Sequence, residues 1–415
     1  MTELNHEFSA AANVSASEAL FHLTEVFYSR TDTRGVIRCG NSVFHRVSGF
    51  EWDELLGAPH KIVRHPDMPK GVFQLFWDQL KAGKPIGAYV KNRAKNGRYY
   101  WVFALASPIE GGYISIRIKP SSDLLQKVSA IYERLLQREQ SEGLSPAKSA
   151  ECLLEMLEDI GFSNYEAFQS TAIATEQQVR VRQLGRTLSP LQQRFLEMSH
   201  AIDQVQNEAT ELTEAFKSIR TVPMNMRIIA SRLESAGGPI SAISVNYSQM
   251  LEDMSTWVTT FVDGDNCVFA RIRNAILSSQ FLGFVYGIEE EMAELLQTLD
   301  YNYPDSLDLK AEANLIEAHR RAYISETARA LSDVEQEAKR FGRSVLDMKR
   351  YVTGLSSTRM MCKIESASLS DSGAALSGVV DQLDAGQNEI EERLSRVVEL
   401  NSVIQSNTAM LRSLL

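Results

Sequence analysis

The second half of the chain repeats apolar residues at intervals that alternate between three and four. The first run extends from Leu184 to Ile219, and further runs occupy residues 331–355 and 376–411. This spacing is typical of helices that pack along one continuous seam. Pro190 lies inside the first run, so a helix either begins or kinks there. The second half is therefore predicted to be long, bundled helix.

An internal repeat organises these helices into two hairpins. The segment Arg232-Leu233-Glu234-Ser235-Ala236 reappears as Lys363-Ile364-Glu365-Ser366-Ala367, and helix-breaking residues follow each copy. We expect the hairpin tips near residues 237 and 370, with another break at residues 299–304. Four arms of similar length suit an antiparallel four-helix bundle.

The first 120 residues follow a different pattern of short strands, glycine-containing turns and small helices. Strands are expected around residues 26–28, 36–38, 87–92, 99–107 and 113–118. Between the second and third strands, apolar residues spaced from Val72 to Leu80 place one apolar face on a helix. The predicted domains are a leader over residues 1–19, a sensor domain over 20–120, a helical connector over 121–171, a first helical hairpin over 172–299 and a second over 300–415.

Bulk properties exclude several classes of function. A formal net charge of -10 argues against a nucleic-acid partner, which needs a clustered basic face. The four cysteines are far apart and form no CxxC pair, so we expect no metal site and a reducing compartment. Apolar runs are too short to cross a bilayer, which predicts a cytoplasmic protein. The sequence contains no nucleotide-binding loop, kinase signature or nucleophile elbow, so we expect no enzyme.

Two dense and unusual strings lie close together in the first domain. They are Val63-Arg64-His65-Pro66-Asp67-Met68-Pro69 and Val90-Lys91-Asn92-Arg93-Ala94-Lys95-Asn96-Gly97. Together with their flanks, residues 41–50 and 99–102, they closely resemble the PAS sensor domain of bacterial aerotaxis receptors. The resemblance implies an α+β PAS domain, with a five-stranded antiparallel sheet and small helices. It also implies FAD as the cofactor, since that family holds FAD.

The resemblance transfers roles in the flavin pocket to three residues of the first string, Arg64, His65 and Asp67. Arginine offers a rigid fork to a phosphate or to flavin carbonyls, and histidine can donate to either. An amide can both donate to and accept from a flavin ring edge. The further candidates are Asn41, Asn92 and Trp77.

Two alternatives to a flavin pocket stay open on the residues alone. PAS domains can hold haem through an axial histidine, and the sensor contains His45, His60 and His65. The pocket can also be empty, with Arg64 and Asp67 pinning a loop. Ile86 stands where the family usually has a tryptophan after the Gly-x-Pro turn, which favours the empty pocket.

The first hairpin tip resembles a degenerate chemoreceptor signalling tip over about 20 residues. This similarity implies a chemotaxis-type kinase or its coupling protein as a partner. Other signalling or coiled-coil proteins are alternatives, and the chain is either a monomer with two hairpins or a dimer. The predicted partner-binding residues are Asn225, Ile228, Arg232, Glu234 and Gly237.

Two readings of function follow. The first is a redox or oxygen sensor that passes its signal through the helical bundle to a chemotaxis-type partner. The second is an adaptor or scaffold with a cofactor-free PAS domain, or a haem-based gas sensor.

Overall fold

Five strands form a single antiparallel sheet in the order β2-β1-β5-β4-β3. The structure is a computed structural model, and it describes residues 17–232, 237–262, 267–298, 303–368 and 373–415. The strands are β1 (Phe27–Asp32), β2 (Ile37–Gly40), β3 (Ile86–Arg93), β4 (Tyr99–Ile109) and β5 (Gly112–Ile118). This arrangement confirms the predicted five-stranded sheet.

Small helices connect β2 to β3 and cover the inner face of the sheet. They are α1 (Ser42–Ser48), α2 (Trp52–Leu55), a 3-10 turn (His60–Val63) and α3 (Lys70–Lys81). The Asn41 side chain caps α1 by accepting a hydrogen bond from the Phe44 backbone N–H. Gly49 ends α1 in the left-handed conformation, with φ of 69°, which a residue without a Cβ adopts readily.

Three helices follow the sheet: α4 (Leu124–Glu142), α5 (Pro146–Glu158) and α6 (Tyr165–Gln183). Ser145 caps α5 and Pro146 occupies its first turn, a combination typical of the start of a helix. Helix α6 ends at Gln183, and the next helix begins at Pro190. The seam expected from Leu184 therefore begins later, with Phe195 as its first fully buried member.

The remaining helices are long. They are α7 (Pro190–Ile219), α8 (Val222–Arg232), α9 (Gly237–Phe261), α10 (Val268–Thr298), α11 (Leu309–Ser368) and α12 (Gly373–Leu414). The chain divides into two compact units. The first combines the described residues up to Gln192 with the described part of Leu277–Thr327, and the second combines the described parts of Gln193–Ile276 and Ala328–Leu415.

In the first unit, helices cover the outer face of the sheet. Successive side chains of a strand point to opposite faces, so every strand serves two layers. Tyr165 of α6 donates to the carbonyl of Gly87 at 2.9 Å, and Tyr323 of α11 donates to Ser107 at 2.6 Å. Phe281 of α10 lies so close to Gly87 that an added Cβ there would sit 3.1 Å from its ring. The described residues between 277 and 327 therefore belong with the sheet.

The second unit is a bundle of four antiparallel arms. Asn401 donates to the Ala338 carbonyl and Gln387 donates to the Val352 carbonyl, so α11 and α12 run in opposite directions. Trp257 of α9 bonds to Ser344 of α11 at 2.5 Å. The buried seam matches the predicted apolar repeat at Phe195, Met198, Ile202, Val205, Leu212, Leu331, Val334, Phe341, Val345, Val352, Leu383, Ile390, Leu394 and Val397. The predicted helical region after the PAS sheet is confirmed.

In the described part of the chain, no helix combines the length and apolar character needed to span a membrane. All four cysteines are free and buried. No group of three metal-ligating side chains occurs among the residues that the structure describes.

Candidate ligand site

A cavity of about 140 Å³ lies between the inner face of the sheet and helix α3. Apolar and aromatic side chains form most of its wall. Its polar lining consists of basic, amide and hydroxyl groups, and none of the described lining residues is a carboxylate. The lining residues are Ser29, Thr31, Gly35, His60, Lys61, Arg64, Phe73, Phe76, Trp77, Leu80, Val90, Asn92, Ala104, Ala106, Tyr113, Ile114, Ser115 and Arg117.

Two local periodicities build this wall. Strand alternation turns Ala104 and Ala106 of β4 inward, and their small side chains leave space that a larger residue would fill. Helix α3 adds four apolar side chains at helical spacing, namely Phe73, Phe76, Trp77 and Leu80. Trp77 meets Tyr113 edge to face, with 5.4 Å between ring centroids. Gly35 passes close to the same indole, at φ of 75°, where an added Cβ would lie 3.3 Å from it.

The buried Arg117 and the half-buried His60 form a polar pair at one end of the cavity. Arg117 Nη2 donates to Ser29 Oγ at 2.8 Å and lies 2.6 Å from His60 Nε2. Because a guanidinium nitrogen can only donate, His60 Nε2 must be the acceptor, and the ring proton sits on Nδ1. Burial, together with the Arg117 charge, lowers the pKa of His60 to about 3. The imidazole is therefore neutral at physiological pH.

Arg64 and Asn92 lie together on another side of the cavity. The two residues form an isolated antiparallel bridge between their backbones. The Arg64 guanidinium stacks over the Phe73 ring, 3.8 Å from its centroid, and donates to the Met68 carbonyl at 3.3 Å. Burial lowers the pKa of Arg64 from its usual value. Asn92 is 4% exposed, and its side-chain amide faces the cavity without a hydrogen bond to the described residues.

Comparison with known proteins identifies the domain that contains this cavity. Residues 40–116 match the family described as PAS fold. Over 112 residues the chain is 46% identical to the aerotaxis receptor of Escherichia coli strain K12. This first domain is a PAS domain of the aerotaxis-receptor type. The match covers 26% of this chain and 22% of that receptor, so it concerns the PAS domain alone.

Two solved structures are also similar to parts of the chain. An RsLOV d2 variant has a TM-score of 0.23 and 14% identity, covering 37% of this chain and 92% of that one. A blue-light activated histidine kinase from Erythrobacter litoralis has a TM-score of 0.23 and 11% identity, covering 48% and 61%. Both TM-scores are far below 0.5, so neither structure informs the function of this chain.

The PAS cavity brings together three of the six predicted cofactor residues, namely Arg64, Asn92 and Trp77. His65 and Asp67 lie outside its lining. His65 Nδ1 accepts from the Asp67 backbone N–H at 3.1 Å, and the Asp67 carboxylate pairs with Lys91 at 2.6 Å. Burial lowers the pKa of His65. In the structure these two side chains hold the loop that leads into α3.

Asn41 lies outside the cavity lining and is saturated with hydrogen bonds. Its Oδ1 accepts from the backbone N–H groups of Tyr28, at 3.0 Å, and Phe44, at 3.1 Å. Its Nδ2 donates to the Val26 carbonyl at 2.7 Å. Asn41 therefore joins β1 to the start of α1.

The three histidines considered for haem have different surroundings. His45 stacks on the Trp52 ring, 4.5 Å between centroids, and His65 is engaged with Asp67. His60 alone lines the cavity, and the lone pair of its Nε2 is directed at Arg117. A haem iron needs that lone pair as its axial ligand, so the geometry does not support a haem site. The similar proteins do not support one either.

Sequence reasoning missed Arg117 and Ser29. The signal was available in the alternation of β5, where Tyr113, Ser115 and Arg117 share one face and isoleucines share the other. An arginine between two isoleucines in a strand predicts that the arginine faces solvent. That prediction fails here because both faces of the sheet are covered.

The predicted tip residues lie in the second unit. Asn225 and Ile228 are exposed on α8 and line a shallow surface groove together with Val379 of α12. Arg232 is the last residue of α8, and Gly237 is the first of α9. Glu234 lies outside the described residues, as does part of the segment near residue 370.

Proposed function

We propose that this chain is a non-enzymatic sensor that holds FAD in its PAS cavity and passes the redox state of the flavin to its helical region. The observation that carries the proposal is the polar lining of the cavity. Its basic and amide groups can all donate hydrogen bonds, and no described lining residue carries a negative charge. A flavin ring presents carbonyl oxygens and ring nitrogens, which accept such bonds.

The shape of the cavity also suits a flat ring. Trp77, Phe73 and Phe76 supply aromatic surface along α3, and the alanines of β4 leave a flat opposing wall. A volume of about 140 Å³ is far too small for a whole dinucleotide. We infer that the ring lies inside and that the rest of FAD extends outside. When bound, flavin supplies a ring whose charge and protonation change on reduction.

Three buried glutamates support a route from the cavity wall to the helices. Glu139 of α4 accepts from the backbone N–H of Lys70 at 2.7 Å, at the start of α3. Glu176 of α6 accepts from the Tyr89 hydroxyl at 2.7 Å. Glu312 of α11 accepts from the Tyr28 hydroxyl at 2.6 Å. Each carboxylate thus binds an element that also lines the cavity, namely α3, β3 or β1.

Glu176 has a second role at the exit from the sheet. Its carboxylate also accepts from the backbone N–H groups of Ser121, at 2.6 Å, and Ser122, at 3.1 Å, just before α4. Negative charge at a helix N-terminus is stabilising. A movement of β3 therefore acts on the start of α4 through one side chain.

We propose chemotaxis-type signalling proteins as the output partners, because the matched relative is an aerotaxis receptor. The groove beside Asn225 and Ile228 is the proposed contact. Ile228 supports this contact, since it remains 46% exposed despite its apolar side chain.

The first test is the visible absorption spectrum of the purified protein before and after reduction. We expect flavin bands that bleach on reduction, and loss of bound FAD in Arg64→Ala. Arg34→Ala, which alters an exposed arginine of the β1–β2 turn, is the control and is expected to keep FAD. A protein that is colourless and binds no added FAD would refute the flavin reading and favour a cofactor-free adaptor.

The second test addresses the route through Glu176. In the wild type, we expect reduction to change hydrogen exchange at the first amides of α4. Glu176→Gln is expected to abolish that change while FAD stays bound, because it removes the negative charge that accepts hydrogen bonds from both Tyr89 and the start of α4. Glu166→Gln, on the same helix, is the control. An unchanged response in Glu176→Gln would remove Glu176 from the route.

A further inference from the structure

Arg117 is the second-to-last residue of β5 and is almost completely buried, at 4% exposure. Both contacts of its Nη2 are with neutral acceptors, Ser29 and His60. These contacts set the plane of the guanidinium. Its Nη1 is buried and has no hydrogen-bond partner among the described residues.

Arg117 forms no ion pair in the described part of the chain, and its guanidinium carbon lies 5.5 Å from the centroid of the Phe44 ring, a weak cation–π contact. Burial lowers its pKa to about 10, which still leaves a cation at neutral pH. A buried donor without a partner is destabilising, and more so when the group is charged. An apolar side chain of similar length would fill the same space without that penalty.

Arg30 on the opposite face of the same sheet shows the contrast. Its Nε and Nη2 both donate to Glu312, at 2.9 and 2.7 Å. That arginine is paired within the chain and needs no ligand. Arg117 instead lines the cavity, and its Nη1 has no hydrogen-bond partner among the described residues.

We propose that Arg117 anchors the ligand of the PAS cavity by donating from Nη1 to an acceptor atom on the edge of the ligand ring. The proposal rests on the proposed flavin function for the identity of the ring. It goes further because it assigns the anchor to β5, outside the string of residues 63–69. The cavity then selects a ring with an exposed carbonyl oxygen, ring nitrogen or negative charge, and rejects one that presents a donor at that edge.

Two variants separate this role from a purely structural one. Arg117→Met removes the charge and the fork but keeps the volume, whereas Arg30→Met removes a paired arginine from the other face. We measure the Kd for FAD by fluorescence quenching, and the Tm of the flavin-free full-length protein. For Arg117→Met we expect a Kd at least tenfold higher and a flavin-free Tm equal to or above the wild type. For Arg30→Met we expect a lower flavin-free Tm and a Kd within twofold of the wild type.

The outcomes decide the proposal in each case. If Arg117→Met binds FAD with the wild-type Kd, the proposed anchor is wrong. It is also wrong if the flavin-free Tm of Arg117→Met lies more than about 2 °C below that of the wild type, because Arg117 is then a structural residue. If the wild type binds no FAD, the proposed flavin function fails. The flavin-free Tm of Arg117→Met, compared with that of the wild type, then tests by itself whether Arg117 is a ligand anchor. A stabilised Arg117→Met then supports an anchor for another acceptor-bearing ring, and a destabilised one refutes it.

Discussion

Acid should destabilise the PAS domain through His60. This base has an unfolded-state pKa of 6.5 and a folded-state pKa of about 3, because burial and Arg117 disfavour its charged form. Below pH 6.5 the unfolded chain therefore takes up a proton that the folded chain refuses, so stability falls as pH falls from about 6.5 towards 3. At 1.36 kcal/mol per pKa unit, the loss between pH 7.5 and pH 5 is about 2 kcal/mol for this residue.

The measurement is urea unfolding at pH 7.5 and at pH 5, followed by tryptophan fluorescence. His60→Gln keeps an acceptor for Arg117 but cannot titrate, so its loss of stability between the two pH values should be smaller than that of the wild type by about 2 kcal/mol. His22→Gln, at an exposed histidine, should follow the wild type. If the wild type and His60→Gln lose the same stability within about 0.5 kcal/mol, His60 is not held neutral by its surroundings.

Two further predictions test the packing of the PAS domain and the different roles of its two buried asparagines. In Gly71→Ala, the new Cβ would lie 2.5 Å from backbone and side-chain atoms of Ser149, so we expect α3 and α5 to separate at a cost of about 1–3 kcal/mol in the urea midpoint analysis. Gly354→Ala, where nothing lies within 4 Å, should not lose stability. Asn41→Ala should lower the free energy of unfolding by about 1–3 kcal/mol while FAD affinity is unchanged, since its hydrogen bonds are all structural. Asn92→Ala should weaken FAD binding instead, and the reverse ranking in a binding titration would contradict the placement of the two amides.

The strands and caps of the PAS domain could be predicted because their signals are local. Alternating apolar residues and glycine turns gave β3, β4 and β5 close to their observed bounds, and Ser145 with Pro146 marked the start of α5. Each of these signals depends on a few neighbouring residues and on no distant partner.

The partners of the helices could not be read in the same way. Apolar spacing shows that a helix has a buried face, but not which surface covers that face. The expected first hairpin covered residues 172–299, whereas the structure places residues 277–298 in the unit that contains the sheet. Phe281 and Gly87 are in contact there, and the sequence around each residue does not predict that contact.

The candidate site was predicted in part for a related reason. Arg64 and Asn92 lie in conspicuous strings, so the resemblance singled them out. Arg117 and His60 sit in unremarkable contexts, and they meet only because the 3-10 turn brings residue 60 beneath β5. Their pairing depends on the order of strands in the sheet, which alternation alone does not fix.

For the proposed function, the two faces of the sheet provide a path from the cavity to the long helices. In β1, Ser29 points to the cavity and bonds to Arg117, while its neighbours Tyr28 and Arg30 point outward and bond to Glu312. Adjacent residues of a strand cannot move independently, because they share rigid peptide planes and ladder hydrogen bonds. If Arg117 anchors the ligand as proposed, a ligand that draws Arg117 towards itself pulls on Ser29, and the same displacement reaches the Glu312 carboxylate on the other face. Both outward contacts end on the buried Glu312 carboxylate, and hydrogen bonds weaken steeply as their angle departs from linearity, so a small misalignment weakens them. The contacts on the outer face would thus respond to a shift of β1 because they join strand residues directly to the Glu312 carboxylate of α11.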